Sequence, residues 1–325
     1  MSSADVQFIN LCKSILYHGT STEGQEVRPH WEDGSSAYTI KKFGVVNKYD
    51  LRREFPAITL RRTAIKSAVE EMLWIYQKKS NNIHDLSTHI WDSWADESGS
   101  IGKAYGYQVG HCQLARDKKV HDVSDVLEHL ENYSSEVCDL AMKTAREVPD
   151  TSVCKSEIMT CKFMDQMDAV LYDLKHTPFS RRIMISLWNV NELQDMNLEP
   201  CCWSCNFNVT DERKDKLILN MVLNQRSSDV LTANNWNVVQ YAVFLMMVAQ
   251  VSNMIPGELI HVMTDAHIYD KHIPIVKELI RKPTFVAPRV YLNPNITDFY
   301  DFRPEDVIIE DYKYSEFKTK IPVAV

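Results

Sequence analysis

From Thr63 onward, Ile65, Val69, Met72, Leu73 and Tyr76 recur at three- and four-residue spacing, which predicts a helix with one apolar face. Glu71 and Trp74 fall on the opposite face of that helix. The stretch Val238–Val251 is apolar almost all round, interrupted by Gln240 and Gln250. It is too short to cross a bilayer and reads as a helix buried in a core. Alternating or β-branched runs predict strands at Ala37–Ile40, Arg182–Trp188, Trp203–Val209 and Leu217–Gln225. Further helices are expected at Asp5–Tyr17 and Met164–Leu174, with a Gly-, Ser- and charge-rich loop over residues 19–36. Residues 112–162 mix charge with helical patterning at Val123–Leu130 and Val137–Ala145, which predicts a helical surface insertion. No repeat or Pro/Gly linker divides the chain. The expected fold is therefore α/β (α+β): one domain over residues 1–325, with a large mixed sheet around one long buried helix.

Composition narrows the function classes. A net charge of −8 argues against a nucleic-acid or anionic-membrane surface, so an anionic substrate would need a local arginine cluster. The start Met1-Ser2-Ser3-Ala4-Asp5 has neither a basic segment nor an apolar one, which points away from secretion and toward the cytoplasm. The eight cysteines, at positions 12, 112, 138, 154, 161, 201, 202 and 205, then read as reduced thiols. Cys202-x-x-Cys205 has no second ligand pair at matching spacing, so no metal is expected.

The chemistry concentrates in Glu199-Pro200-Cys201-Cys202-Trp203 and, downstream, Gln225-Arg226-Ser227-Ser228-Asp229. A thiol attacks only when ionised, and a nearby guanidinium lowers its pKa. The same guanidinium can grip a phosphate through its fork of donors. The flanks make this specific. Ser180-Arg181-Arg182 with Leu187-Trp188-Asn189, the Pro200-Cys201 turn and the Gln225-to-Asp229 loop resemble, in order, the blocks of the thymidylate synthase family. So do Trp236-Asn237-Val238 with Tyr241-Ala242, and Asp265-x-His267-Ile268-Tyr269. Upstream, Glu71-Met72-Leu73-Trp74, Ile90-Trp91-Asp92-x-Trp94 and Tyr105-Gly106 keep the family's order, as does the C-terminal Pro322–Val325.

The resemblance implies reductive methylation of dUMP to dTMP, with 5,10-methylenetetrahydrofolate supplying the one-carbon unit and the hydride. Catalytic roles fall to Cys201 as nucleophile, with Glu71, Tyr105 and Asp229. Arg28, Arg226 and Ser227 would hold the phosphate, with Arg181 and Arg182 donated across a homodimer. Asn237 would face the base, His267 and Tyr269 the ribose, and Gln225 would also bind dUMP. Trp91, Trp94, Asp229, Trp236 and Val325 would contact the folate. Asn237 offers one donor and one acceptor, the complement of a uracil edge, although an asparagine here could also be a helix N-cap. The chain departs from the family at Cys202, where a histidine is usual, and at Glu199, Ala233, Asn235, Trp236 and Thr264. Two rivals stay open: a deoxyuridylate hydroxymethylase on the same scaffold, and a catalytically silent nucleotide- or RNA-binding homologue.

Overall fold

The computed structural model describes residues 1–147, 156–211 and 215–324. Its frame is a six-stranded sheet built from β1 (Thr20–Ser21), β2 (Thr39–Asp50), β5 (Met184–Ser186), β6 (Cys202–Thr210), β7 (Ile218–Asp229) and β8 (Ile255–Tyr269). The order is β1-β2-β8-β7-β6-β5. Neighbours are antiparallel except β7 and β8, which are parallel. Parallel strands need a crossover, and the long apolar run supplies it as a helix, Asn234–Val251 (α7). That helix is buried on nearly every side, as its uniform apolarity requires.

A second helix, Ile65–Tyr76 (α2), packs on α7. Tyr76 stacks on Phe244 with ring centroids 4.3 Å apart. Because α7 lies on one side of α2 and Trp91 on another, both faces of α2 are covered, and Glu71 and Trp74 are as buried as the apolar stripe. The N-terminal helix Ser3–His18 (α1) starts where Ser2 Oγ accepts from the Asp5 N–H.

The sequence pattern understated the strands. The expected strand at Ala37–Ile40 begins at Thr39 and runs on to Asp50, and the fifteen-residue β8 was not read as a strand. The Arg182–Trp188 strand contracts to three residues, and the expected helix at Met164–Leu174 sits slightly later, at Gln166–His176 (α6). The insertion is not purely helical. Leu114–Asp122 (β3) and Glu157–Met164 (β4) form an antiparallel ribbon carrying helices Val123–Glu128 (α4) and Ser135–Glu147 (α5). Val123, Val126, Val137, Cys138, Ala141 and Ile158 make a small core of their own beneath them. Charged residues fill β3, which hid its strand period.

One face of the main sheet is covered by α7. On the other, Asn206, Asn208, Asn220, Val222, Asn224, Ile260 and Val262 are half-buried or exposed. Phe43 and Val46 on β2 stand 86% and 61% exposed. Among the described residues no helix is long and apolar enough to cross a membrane.

Candidate active site

Pro200 and Cys201 lead into β6, and β7 lies alongside, pairing Cys202 with Gln225. The Arg226 N–H donates to the Cys201 carbonyl at 2.8 Å, which fixes the arginine beside the thiol. Its guanidinium folds back over the turn, donating from Nε to the Pro200 carbonyl at 3.1 Å and from Nη2 to the Glu199 carbonyl at 2.6 Å. It also lies over the Trp188 ring, 5.8 Å from the centroid. On the other side the Cys201 N–H donates to the Tyr105 hydroxyl at 3.1 Å.

Tyr105 reaches that position through a left-handed backbone turn, φ 48°. Next to it, a Cβ on Gly106 would sit 2.1 Å from the Ser80 carbonyl, so only glycine allows this close approach.

Burial pushes the Cys201 thiol above its ordinary pKa; Arg226 and then Arg28 pull it down, and Glu199 adds to the rise. The arginines act in the direction expected from sequence, but burial outweighs them. Cys202 points elsewhere. The register of β6 slips between Cys202 and Ser204, so Cys202 and Cys205 both turn into the core. There Tyr76 and Tyr241 share a hydrogen bond of 2.9 Å, and Tyr76 also meets Cys205. The seven described cysteines are free thiols.

Glu71 is held by three donors. The Trp91 indole N–H donates to Oε1 at 2.7 Å, and Oε2 accepts from the Trp236 indole and from Gln240 Nε2, the latter at 2.8 Å. Burial raises its pKa, and these three donors oppose the rise. Trp91 and Trp236, expected against folate, thus also orient Glu71. Trp94 stands edge-on to Trp91 at 5.7 Å, and its buried indole N–H has no acceptor among the described residues.

Asn237 lies one turn inside α7, its N–H bonded to the Ala233 carbonyl, so it is not the helix cap. Its Oδ1 accepts from Gln225 Nε2 at 3.2 Å. On β8, His267 Nδ1 donates to Asp265 at 2.8 Å, and Asp265 pairs with Lys41 at 3.0 Å. That leaves His267 Nε2 free to meet a hydroxyl. Tyr269 packs against Trp31 and His272.

Asp229 accepts from the Leu231 and Thr232 amides and the Thr232 hydroxyl, with His272 Nδ1 3.7 Å away. His272 Nε2 donates in turn to the Pro322 carbonyl at 2.8 Å, tying the C-terminal segment to the Asp229 side of the site. Burial is the largest single influence and opposes both charges, but His272, His267 and Thr232 together hold Asp229 below its ordinary value, and Asp229, Pro322 and Asp270 together hold His272 above its own.

The stability contributed by His272 is complete below its unfolded value of about 6.5 and is lost as pH rises through the raised folded value. That from Asp229 is present above about 3.9 and is lost as pH falls through the lowered one. In Asp229→Asn burial remains, opposed only in part by the Pro322 carbonyl and the Asp270 charge, so His272 should titrate lower by NMR. An unchanged titration would mean that the two groups are not coupled.

Not every expected residue joins this cluster. Arg28 is exposed on its loop, although its charge reaches Cys201 and Tyr269. Arg181 and Arg182 are exposed at the β5 edge and form no ion pair with any described residue. Val325 lies outside the described residues. Conversely, Gln240, His261, Asp265 and His272 support the site and were not singled out from sequence. Gln240 and His261 had left a signal as polar residues inside otherwise apolar elements.

The family model described as thymidylate synthase matches residues 6–325. Thymidylate synthase 1 of Bacillus subtilis strain 168 is 32% identical over 329 residues, covering the whole of both chains. The thymidylate synthase of Clostridium beijerinckii is 31% identical over 330 residues, again covering both chains fully. Among solved structures, the thermostable thymidylate synthase A from Bacillus subtilis superimposes with a TM-score of 0.79 at 33% identity, over 99% of each chain. The chain therefore belongs to the thymidylate synthase family of methyltransferases.

Proposed function

We propose that the protein converts dUMP to dTMP with 5,10-methylenetetrahydrofolate in the cytoplasm, through a covalent adduct between Cys201 and carbon 6 of uracil. The observation that carries this reading is Cys201, its backbone held between the Arg226 amide and the Tyr105 hydroxyl, one residue from the strand pair that leads through Gln225 to the Asn237 amide. Carbon 5 of uracil is a poor nucleophile. Thiolate addition at carbon 6 makes carbon 5 enolate-like, splitting one hard step into easier covalent stages.

Bound methylenetetrahydrofolate would supply the one-carbon unit and the hydride. The unpartnered Trp94 indole N–H suits a flat heterocycle carrying an acceptor, and Asp229 and Trp91 border the same side. Arg226, Ser227 and Arg28 hold the phosphate. Asn237 reads uracil oxygen 4 and the N3 hydrogen, His267 and Tyr269 the ribose, while Glu71 and Tyr105 handle protons near the ring. Turnover of dUMP with methylenetetrahydrofolate, followed by product mass and by dihydrofolate absorbance, tests the assignment. A hydroxymethylated product without dihydrofolate would overturn it in favour of hydration over reduction.

The reading includes a homodimer. The uncovered sheet face with Phe43 and Val46 is the surface on which two copies would pack, and Arg181 and Arg182 would then complete the other subunit's phosphate site. Mixing inactive Arg181→Ala/Arg182→Ala with inactive Cys201→Ser is expected to restore up to about a quarter of wild-type activity, because a mixed dimer keeps one intact site. No recovery despite demonstrated subunit exchange would count against the shared site.

A further inference from the structure

Asn237 does not choose the direction of its amide alone. Its Oδ1 accepts from Gln225 Nε2, and its Nδ2 donates to Gln240 Oε1 at 3.4 Å. Each glutamine is pinned in turn by a group that can only accept. Gln225 Nε2 also donates to the Ser227 carbonyl at 2.9 Å. Gln240 Nε2 donates to the Ala68 carbonyl at 3.3 Å and to Glu71 Oε2 at 2.8 Å. Carbonyl oxygens cannot donate, so these contacts decide which end of each glutamine carries the nitrogen.

Asn237 then sits between an N–H on the Gln225 side and a C=O on the Gln240 side, and only one orientation of its amide satisfies both. The direction extends to His261, whose Nε2 lies 2.6 Å from Gln225 Oε1 and must carry the proton. Burial keeps that imidazole neutral, with its pKa near 3. Gln225, Gln240 and His261 are all essentially inaccessible to water, which therefore cannot substitute for a lost partner.

We propose that Gln240 is a positioning residue that locks the Asn237 amide in the direction complementary to uracil and ties that lock to Glu71. The inference rests on the reading of Asn237 as the base-contacting residue. A uracil edge presents an acceptor at oxygen 4 and a donor at N3; cytosine presents the reverse. Reversing the asparagine to suit cytosine would set Nδ2 against Gln225 Nε2 and Oδ1 against Gln240 Oε1, two repulsive contacts in place of two hydrogen bonds. Gln240 enforces one of the two and gives Glu71 one of its three donors. The other groups facing Glu71 are the Trp91 and Trp236 indoles, Tyr105 from the turn before the Gly106–His111 helix (α3), and Cys202 from β6.

The test compares kcat/KM for dUMP with the competitive inhibition constant of dCMP in wild type, Gln240→Met, Gln240→Glu and Asn237→Asp. Gln240→Met keeps the volume but removes both halves of the link. It should lower the preference for dUMP over dCMP about tenfold, the upper range of one hydrogen bond. An equal loss with both nucleotides, or an unchanged ratio, while Asn237→Asp does shift it, would overturn the role of Gln240 and leave the base-reading role standing. If Asn237→Asp leaves the ratio unchanged as well, both fall.

Gln240→Glu provides the second measurement should the methionine variant not fold. When protonated, the introduced carboxyl donates toward Glu71 and accepts from Asn237 as the amide does; when ionised, it faces Glu71 carboxylate to carboxylate. Its dUMP kcat/KM should match wild type at acidic pH and fall as pH rises through the shared titration. A pH profile identical to wild type would overturn the proposal.

Discussion

Cys201→Ser is expected to abolish turnover, lowering kcat by on the order of 10⁴-fold or more, while leaving dUMP binding nearly intact. A serine hydroxyl has no accessible anion near neutral pH, and nothing else in the cluster can bond to carbon 6. In the proposed reading the phosphate and base contacts come from Arg226, Ser227 and Asn237, on β7 and α7, so removing the sulfur should not disturb them. Kd for dUMP by calorimetry, set beside single-turnover rates, separates the two effects.

Cys202→Ser should keep substantial activity. Its side chain points into the core beside Tyr241 and Cys205, and burial holds its pKa well above the ordinary thiol value. The cost there is structural, about 1–3 kcal/mol for a polar group in a site built for a thiol. If Cys202→Ser were inactive and Cys201→Ser active, the turn would run in the opposite register.

How much of this was legible from the sequence depended on whether the signal was local. The buried helix announced itself through fourteen nearly unbroken apolar positions. Cys201, Arg226 and Asn237 stood out because each belongs to a short block of unusual residues. The strand β8 was harder, since its half-buried positions include Glu258 and Asp265 and its buried face carries His261, and a strand covered on one side only can afford that variety. The ribbon β3–β4 was hidden for the same reason, with Lys118, Lys119 and Val120 all exposed.

The supporting residues were the least visible. Gln240 matters because Ala68, in the first turn of α2 and 172 positions away, aims a carbonyl at it. His272 matters because Pro322 returns to it from the chain's end. Such roles are made by tertiary folding, and no spacing along the chain records them. The net pKa of Cys201 belongs to the same class. The arginines could be read from sequence, but the degree of burial that opposes them could not.

Asn237→Asp should weaken dUMP use and improve recognition of dCMP, shifting the ratio of kcat/KM values by at least about tenfold. In the wild type, Nδ2 faces an acceptor, Gln240 Oε1, and in the proposed reading donates to uracil oxygen 4. A carboxylate oxygen in its place meets Gln240 acceptor to acceptor, and Gln240 cannot turn away because Ala68 and Glu71 hold its nitrogen. Uracil oxygen 4 then faces a second acceptor as well. Cytosine relieves part of this, since its exocyclic amino group donates to that oxygen, and a proton shared between the carboxyl and N3 completes the pair. The other carboxylate oxygen keeps the Gln225 hydrogen bond, so the loss with dUMP should appear mainly in kcat/KM and only slightly in folding stability. Measured kcat/KM for both nucleotides, with a thermal midpoint for each protein, decides the matter. An unchanged dUMP:dCMP ratio would show that the base edge is read elsewhere, and Asn237 would then be only a link between two glutamines.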